Sequence, residues 1–169
     1  MRLRGTVYRA HNPEWAWTPL SGEGARRYGG RFNRRGQPAL YFSVSQITAI
    51  REATPLGRPM QPLTLCAYEV DAEPVFDAAD PARLREHQVL EADLACPTWE
   101  VDMLERGIAA SQRLAERLVA AGYVGMLVCS FAIGAGKEDL NLVMWRWGDA
   151  YPASVTVIDE EGRLKRRQR

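Results

Sequence analysis

The stretch from residue 11 to residue 38, HNPEWAWTPLSGEGARRYGGRFNRRGQP, most constrains what this chain can become. It lies between two short runs of strand-forming residues, 6–10 and 39–43, and follows neither the period of a helix nor that of a strand. A connection of that length without secondary structure of its own is uncommon in a compact domain, and is usually either functional or disordered. Trp15 and Trp17 argue for order, because disordered segments are poor in large aromatic side chains. An ordered binding loop rich in glycine and arginine is therefore expected early in the chain.

The sequence after that loop reads as strand, then helix. Residues 39–43 form a strand, and Ser45 caps a helix over 46–53 that Pro55 stops. Ile47, Ile50 and Ala49 or Ala53 supply its apolar stripe, with Arg51 and Glu52 near one edge, so that Glu52 can face a cleft. A strand is expected over 63–70 and a short helix over 81–87 capped by Asp80. The longest helical pattern covers 101–121, with Met103, Leu104, Ile108, Leu114, Leu118 and Val119 inward, Gly107 as an interruption and Gly122 as the stop. Strands follow over 124–129, 140–147 and 154–158, and the flexible loop FAIGAGKED links the first two of these. The fold class is α+β: one domain over 1–160, a central mixed sheet flanked by helices, then a basic, mobile tail over 161–169.

Composition narrows the function classes more by exclusion than by suggestion. The formal net charge is +1 with 25% charged residues, so no overall field marks a dedicated nucleic-acid or membrane binder. No run approaches the roughly 18 apolar residues of a membrane span, and the basic start has no apolar segment behind it. Cys66, Cys96 and Cys129 are an odd number without C-x-x-C spacing, as in a reducing, cytoplasmic compartment. With only His11 and His87, a histidine-rich metal site is not expected, and neither a G-x-G-x-x-G fingerprint nor a phosphate-binding P-loop is present.

What remains is a constellation in chain order. Gly29 and Gly30 permit positive φ and close backbone approach, which can lay the loop against a polar ligand and aim Arg31 at it. A guanidinium offers a planar, permanently charged fork for phosphate, and Arg9 at the end of the first strand can supply a second one. Tyr41 can stack on a flat heterocycle, and Glu52 suits hydroxyls or a developing positive charge. Taken singly, each has a commoner structural use: a solvated arginine, a half-buried tyrosine with a satisfied hydroxyl, a solvated helix glutamate. Ser130, at the end of an apolar strand, is equally open to a plain strand-end reading.

Together, Tyr8-Arg9, Gly22, Gly29-Gly30-Arg31-Phe32-Asn33, Pro38-Ala39-Leu40-Tyr41-Phe42-Ser43 and Ala49-Ile50-Arg51-Glu52 resemble the RES domain, a family named for its Arg, Glu and Ser. The serine matches Ser130, followed after a loop by Asn141-Leu142-Val143, where the family has a similar asparagine and apolar strand. Phe32 stands where a tryptophan is frequent, and Cys129 where proline is common.

The resemblance implies an ADP-ribosyltransferase-like fold and a bacterial toxin that acts on NAD as substrate, without a metal. Glu52, Arg31, Tyr41 and Ser130 would be the catalytic set, and Arg9, Arg31, Tyr41, Ser130 and Asn141 would bind NAD. ADP-ribose would pass to a cellular protein, or alternatively to water or phosphate in an enzyme that degrades NAD. The partner implied is a cognate antitoxin carrying a DNA-binding domain, with a homodimer conceivable inside the complex. Arg26, Arg27, Arg31, Arg34 and Arg35 could receive the antitoxin's acidic groups, or merely solvate the loop. A competing reading keeps the arginine loop and basic tail as a non-enzymatic nucleic-acid-binding module.

Overall fold

The structure, a computed structural model, describes residues 1–54 and 59–164. Pro55, expected to stop the early helix, and the tail beyond Leu164 lie outside the described residues. The strands among the described residues are β1 (Leu3–His11), β2 (Leu40–Ser43), β3 (Thr64–Ala72), β4 (Val75–Asp77), β5 (Gly125–Cys129), β6 (Leu140–Met144) and β7 (Ala153–Val157). They form one seven-stranded sheet in the order β4-β5-β6-β2-β1-β3-β7. Only β4 and β5 run parallel; every other neighbouring pair is antiparallel. The helices are α1 (Glu23–Tyr28), α2 (Gln46–Ala53), α3 (Pro81–Glu86), α4 (Glu91–Ala95), α5 (Trp99–Arg106) and α6 (Ala110–Ala120). This is the expected mixed sheet with helices.

Alternation along the strands builds two cores. Leu40, Phe42, Leu127, Leu142 and Met144 point to one side with Val7, Tyr68 and Val70. Met126, Val128 and Val143 point to the other, where Leu84 of α3, Leu94 of α4 and Leu114 and Leu118 of α6 cover them. The register pairs Tyr41 with Val143, Ser43 with Asn141 and Asn141 with Val128, so polar Tyr41, Ser43 and Asn141 share the helix-covered face. That face therefore changes from apolar to polar towards β2.

The join between β2 and β1 determines where a ligand can enter. β1 pairs with β3 along its whole length, from Leu3 with Ala72 to His11 with Thr64, but meets β2 only at Tyr8 and Ser43. Beyond that point the two strands part, leaving Arg9 on one lip and Tyr41 on the other.

Local signals account for most element boundaries. Ser45 Oγ accepts from the Thr48 amide at 3.1 Å, and Asp80 Oδ1 from the Ala82 amide at 2.8 Å, capping α2 and α3 as expected. The pattern over 101–121 is two helices, because Gly107 adopts φ +77° as the C-cap of α5 and the chain restarts at α6. Met103, Leu114 and Leu118 are buried as expected, whereas Leu104 and Val119 are 59% and 40% exposed. The expected stripe of α2 is also corrected: Ile47 is 69% exposed, and Thr48 and Ala49 are the buried residues. The loop over 11–38 contains α1 and a 3-10 turn, Pro13–Trp15, and the indole N–H of Trp147 donates to Leu20 O at 3.1 Å, tying the loop to the sheet.

Candidate active site

A cleft of about 550 Å³ opens where β1 and β2 part, walled by α1, the residues after it and the ends of β5 and β6. Arg9, Arg31, Tyr41, Glu52 and Asn141 line it, with Trp99 and Phe131 among the aromatic walls. Five of the six residues singled out from sequence thus face one space. The sixth, Ser130, is 8% exposed and outside that lining, bonded to Glu52.

Two neutral side chains hold the carboxylate. Ser130 Oγ donates to Glu52 Oε1 at 2.6 Å, and Asn141 Nδ2 donates to the same oxygen in a short hydrogen bond. Asn141 is oriented in turn by Ser43 Oγ, which donates to its Oδ1 at 2.7 Å. Both donors to Glu52 are neutral, so they fix one oxygen without cancelling its charge. Oε2 has no protein partner among the described residues.

Behind this group lies a second set of contacts. Asp139 Oδ1 accepts from Thr48 Oγ1 at 2.5 Å, and Oδ2 accepts from Arg51 at 2.7 Å and from the Gly136 amide at 2.8 Å. The Thr48 hydroxyl, then the Gly136 amide and the Arg51 guanidinium, hold the Asp139 carboxyl below its usual range. Sequence reasoning named Arg51 only as a neighbour of Glu52 and gave Asp139 no role. Nothing in a linear pattern joins residues so far apart in the chain.

On the opposite wall, backbone carbonyls hold the cations. Arg31 donates to Ala95 O in a short contact and to Cys96 O at 3.0 Å, and its guanidinium lies 4.8 Å from the Phe131 ring centroid. Arg9 donates to Pro19 O at 3.3 Å and Ser21 O at 3.5 Å. Neither makes an ion pair among the described residues, and burial lowers the pKa of both, opposed at Arg31 by Cys96 and by the Glu52 carboxylate. Two guanidinium groups therefore reach the cleft without a salt-bridge partner.

The glycines before Arg31 serve the protein's own packing. Gly29 has φ +75°, and a Cβ there would come 2.5 Å from Met103 Sδ. A Cβ on Gly30 would meet Tyr41 Oη at 2.6 Å and Asn33 Oδ1 at 2.7 Å. The close approach expected toward a ligand is thus seen toward Tyr41, Asn33 and Met103. Tyr41 contributes its ring to the cleft while its hydroxyl is spent inside: it accepts from the Phe32 amide at 3.1 Å and donates to Asn33 Oδ1 at 2.7 Å. Burial keeps that phenol protonated far above its ordinary range.

Three of the five rim arginines are ion-paired among the described residues. Arg26 and Arg27 pair with Glu23 at 2.7 and 3.5 Å, and Arg34 pairs with Glu116 at 3.3 Å. Arg35 donates to Tyr28 O at 3.4 Å. Of the rim residues, Arg31 turns into the cleft. Among the described residues, no group of three or more His, Cys, Asp or Glu side chains is placed to hold a metal ion.

Comparison with known proteins follows the same lines. The RES domain family model matches residues 6–167. Among solved structures, a chain of the M. tuberculosis MbcT–MbcA toxin–antitoxin complex superposes with a TM-score of 0.67 at 23% identity, covering 94% of this chain and 84% of that one. Comparison with curated proteins gives no match. The structural likeness establishes a common fold, and the family match covers nearly the whole sequence: the chain belongs to the RES domain family.

Proposed function

We propose that this chain is the toxin of a toxin–antitoxin pair, and that its cleft takes NAD as substrate and breaks the nicotinamide–ribose bond. The observation that carries this reading is the presence of both charges in one cleft: Glu52, fixed through Oε1 by Ser130 and Asn141, together with the guanidinium groups of Arg9 and Arg31, which have no salt-bridge partner among the described residues. Membership of the RES family, and a fold shared with a chain of a toxin–antitoxin complex, support the toxin part.

NAD has the parts these groups suit. Its pyrophosphate matches Arg9 and Arg31, and its flat nicotinamide matches the Tyr41 ring. As the bond from C1′ of the ribose to the nicotinamide nitrogen breaks, its electron pair leaves with the nicotinamide and positive charge grows on the ribose. A fixed carboxylate nearby stabilises that oxocarbenium-like state, and this is the role of Glu52. Ser130 and Asn141 keep the carboxylate in place. An acceptor then bonds to C1′ and gives up its proton; we assign that acceptor to a side chain of a cellular protein, with water or phosphate as the alternatives.

The restraint such an activity needs would come from a cognate antitoxin with a DNA-binding domain, an acidic group of which could reach Arg31 and block the cleft. The reading makes the chain cytoplasmic, where NAD is at hand. No helix among the described residues is long and apolar enough to cross a membrane. The nucleic-acid alternative loses support from the ion pairs that occupy Arg26, Arg27 and Arg34.

The test is incubation of the purified chain, free of antitoxin, with NAD, following nicotinamide release with and without phosphate and with a cell lysate. Release that requires lysate and labels a protein band is the expected result. Release without lysate reassigns the acceptor to water or phosphate. No release under any condition, together with salt-sensitive binding in a gel shift, contradicts the enzymatic reading.

A further inference from the structure

We propose that Asp139, which lies outside the lining of the cleft, is a positioning residue for Glu52; the proposal rests on the reading of Glu52 given above. Asp139 joins the three elements that carry the carboxylate group of the site. Its backbone oxygen accepts from the Ser130 amide at 2.7 Å, its Oδ1 and Oδ2 hold Thr48 and Arg51 of α2, and it directly precedes β6, which bears Asn141.

Apart from Glu52 itself, few side chains tie α2 to the sheet end that carries Ser130 and Asn141. The helix spans Gln46–Ala53 and buries only Thr48 and Ala49, while Ile47 faces solvent. Ile50 and Ala53 are half-buried, so the apolar contact of α2 with the sheet is small for a helix that carries a site residue. The carboxylate of Asp139 supplies what packing does not: two bonds to α2 on one side and one to the Gly136 amide on the other. The Arg51–Asp139 pair is partly sheltered, with side-chain exposures of 31% and 16%, which removes much of the solvent screening that makes surface pairs weak.

Without this latch α2 can shift while the sheet stays in place. The Ser43–Asn141 bond and the β5–β6 ladder persist, but Glu52 leaves its registered distance from Ser130 and Asn141. A displacement of about 1 Å in a reacting group can cost about a hundredfold in rate. Binding, which depends on Arg9, Arg31 and Tyr41, should change much less.

The experiment compares wild type, Asp139→Ala, Arg51→Met and, as a control ion pair far from the cleft, Arg83→Met, which loses its partner Glu86. Nicotinamide release gives kcat and KM for NAD; hydrogen exchange without NAD reports on the amides of 46–53 and on Ser130. We expect kcat to fall about a hundredfold in Asp139→Ala and about tenfold in Arg51→Met, with KM within about threefold and Arg83→Met unchanged. The α2 amides should exchange faster in both latch variants. If Asp139→Ala does not fold, Arg51→Met carries the test, since its side chain is partly exposed. Wild-type kcat in both variants, or a rise in KM at unchanged kcat, overturns the proposal. An inactive wild type overturns the reading of the cleft instead, and the latch then stands or falls on whether α2 exchange quickens.

Discussion

The two walls of the cleft hold opposite charges by different means. Glu52 is fixed by side chains, Ser130 directly after β5 and Asn141 on β6, with Ser43 of β2 behind them. Arg9, on β1, and Arg31, in the loop after α1, rest on backbone carbonyls, Pro19 and Ser21 for one, Ala95 at the end of α4 and its C-cap Cys96 for the other. In both cases the partners are neutral, so the charge stays available. The difference lies in the kind of partner: a carboxylate oxygen fixed by two side-chain donors suits a step sensitive to fractions of an ångström, whereas guanidinium groups resting on backbone carbonyls keep further N–H donors for an anionic ligand. The carboxylate wall should govern turnover and the arginine wall affinity.

Glu52→Ala should lower turnover of NAD by about a hundredfold or more. Arg31→Ala should weaken NAD binding by about 10- to 100-fold, the worth of a charged hydrogen bond, while turnover at saturating NAD falls much less. Loss of turnover without loss of affinity in Arg31→Ala would merge the two walls into one. Tyr41→Phe sharpens the account on the arginine side: it keeps the ring but leaves the Phe32 amide and Asn33 Oδ1 without their partner. It should cost about 1–3 kcal/mol of stability, read from the midpoint of urea unfolding.

The smallest effect concerns pH. His11 pairs with the Tyr68 hydroxyl at 2.5 Å, and burial, then the nearby Arg9, lowers its pKa from 6.5 to about 4. Between these values the unfolded chain binds more protons than the folded one, so stability falls as pH drops through that window and is fully present above it. His11→Gln should flatten the slope of the melting temperature between pH 6.5 and 4; an unchanged slope would assign the acid sensitivity to other groups.

The strand–helix unit of β2 and α2 was legible from sequence almost to the residue, because Ser45 acts as a local cap and the strand is a continuous apolar run. The five cleft-lining residues were legible as a set through the resemblance to the RES domain, which alone supplied Asn141. The inward face of α2 was not, since Thr48 is drawn in by a hydrogen bond to Asp139 rather than by hydrophobicity, leaving Ile47 outside. Short α1 and α4 escaped periodicity analysis, and so did β4, which spans only Val75–Asp77 and takes its place by pairing with β5. Ser130 was legible as a site residue, whereas its contact with Glu52 was not. Such pairings depend on strand register, which no local pattern contains.

The central claim, that Glu52 acts on the reaction and the arginines on binding, is tested most directly by measuring equilibrium NAD affinity and nicotinamide release on wild type and Glu52→Ala in parallel. The account predicts affinity within a few-fold of wild type, and release slower by about a hundredfold or more. Release at the wild-type rate in Glu52→Ala would contradict it.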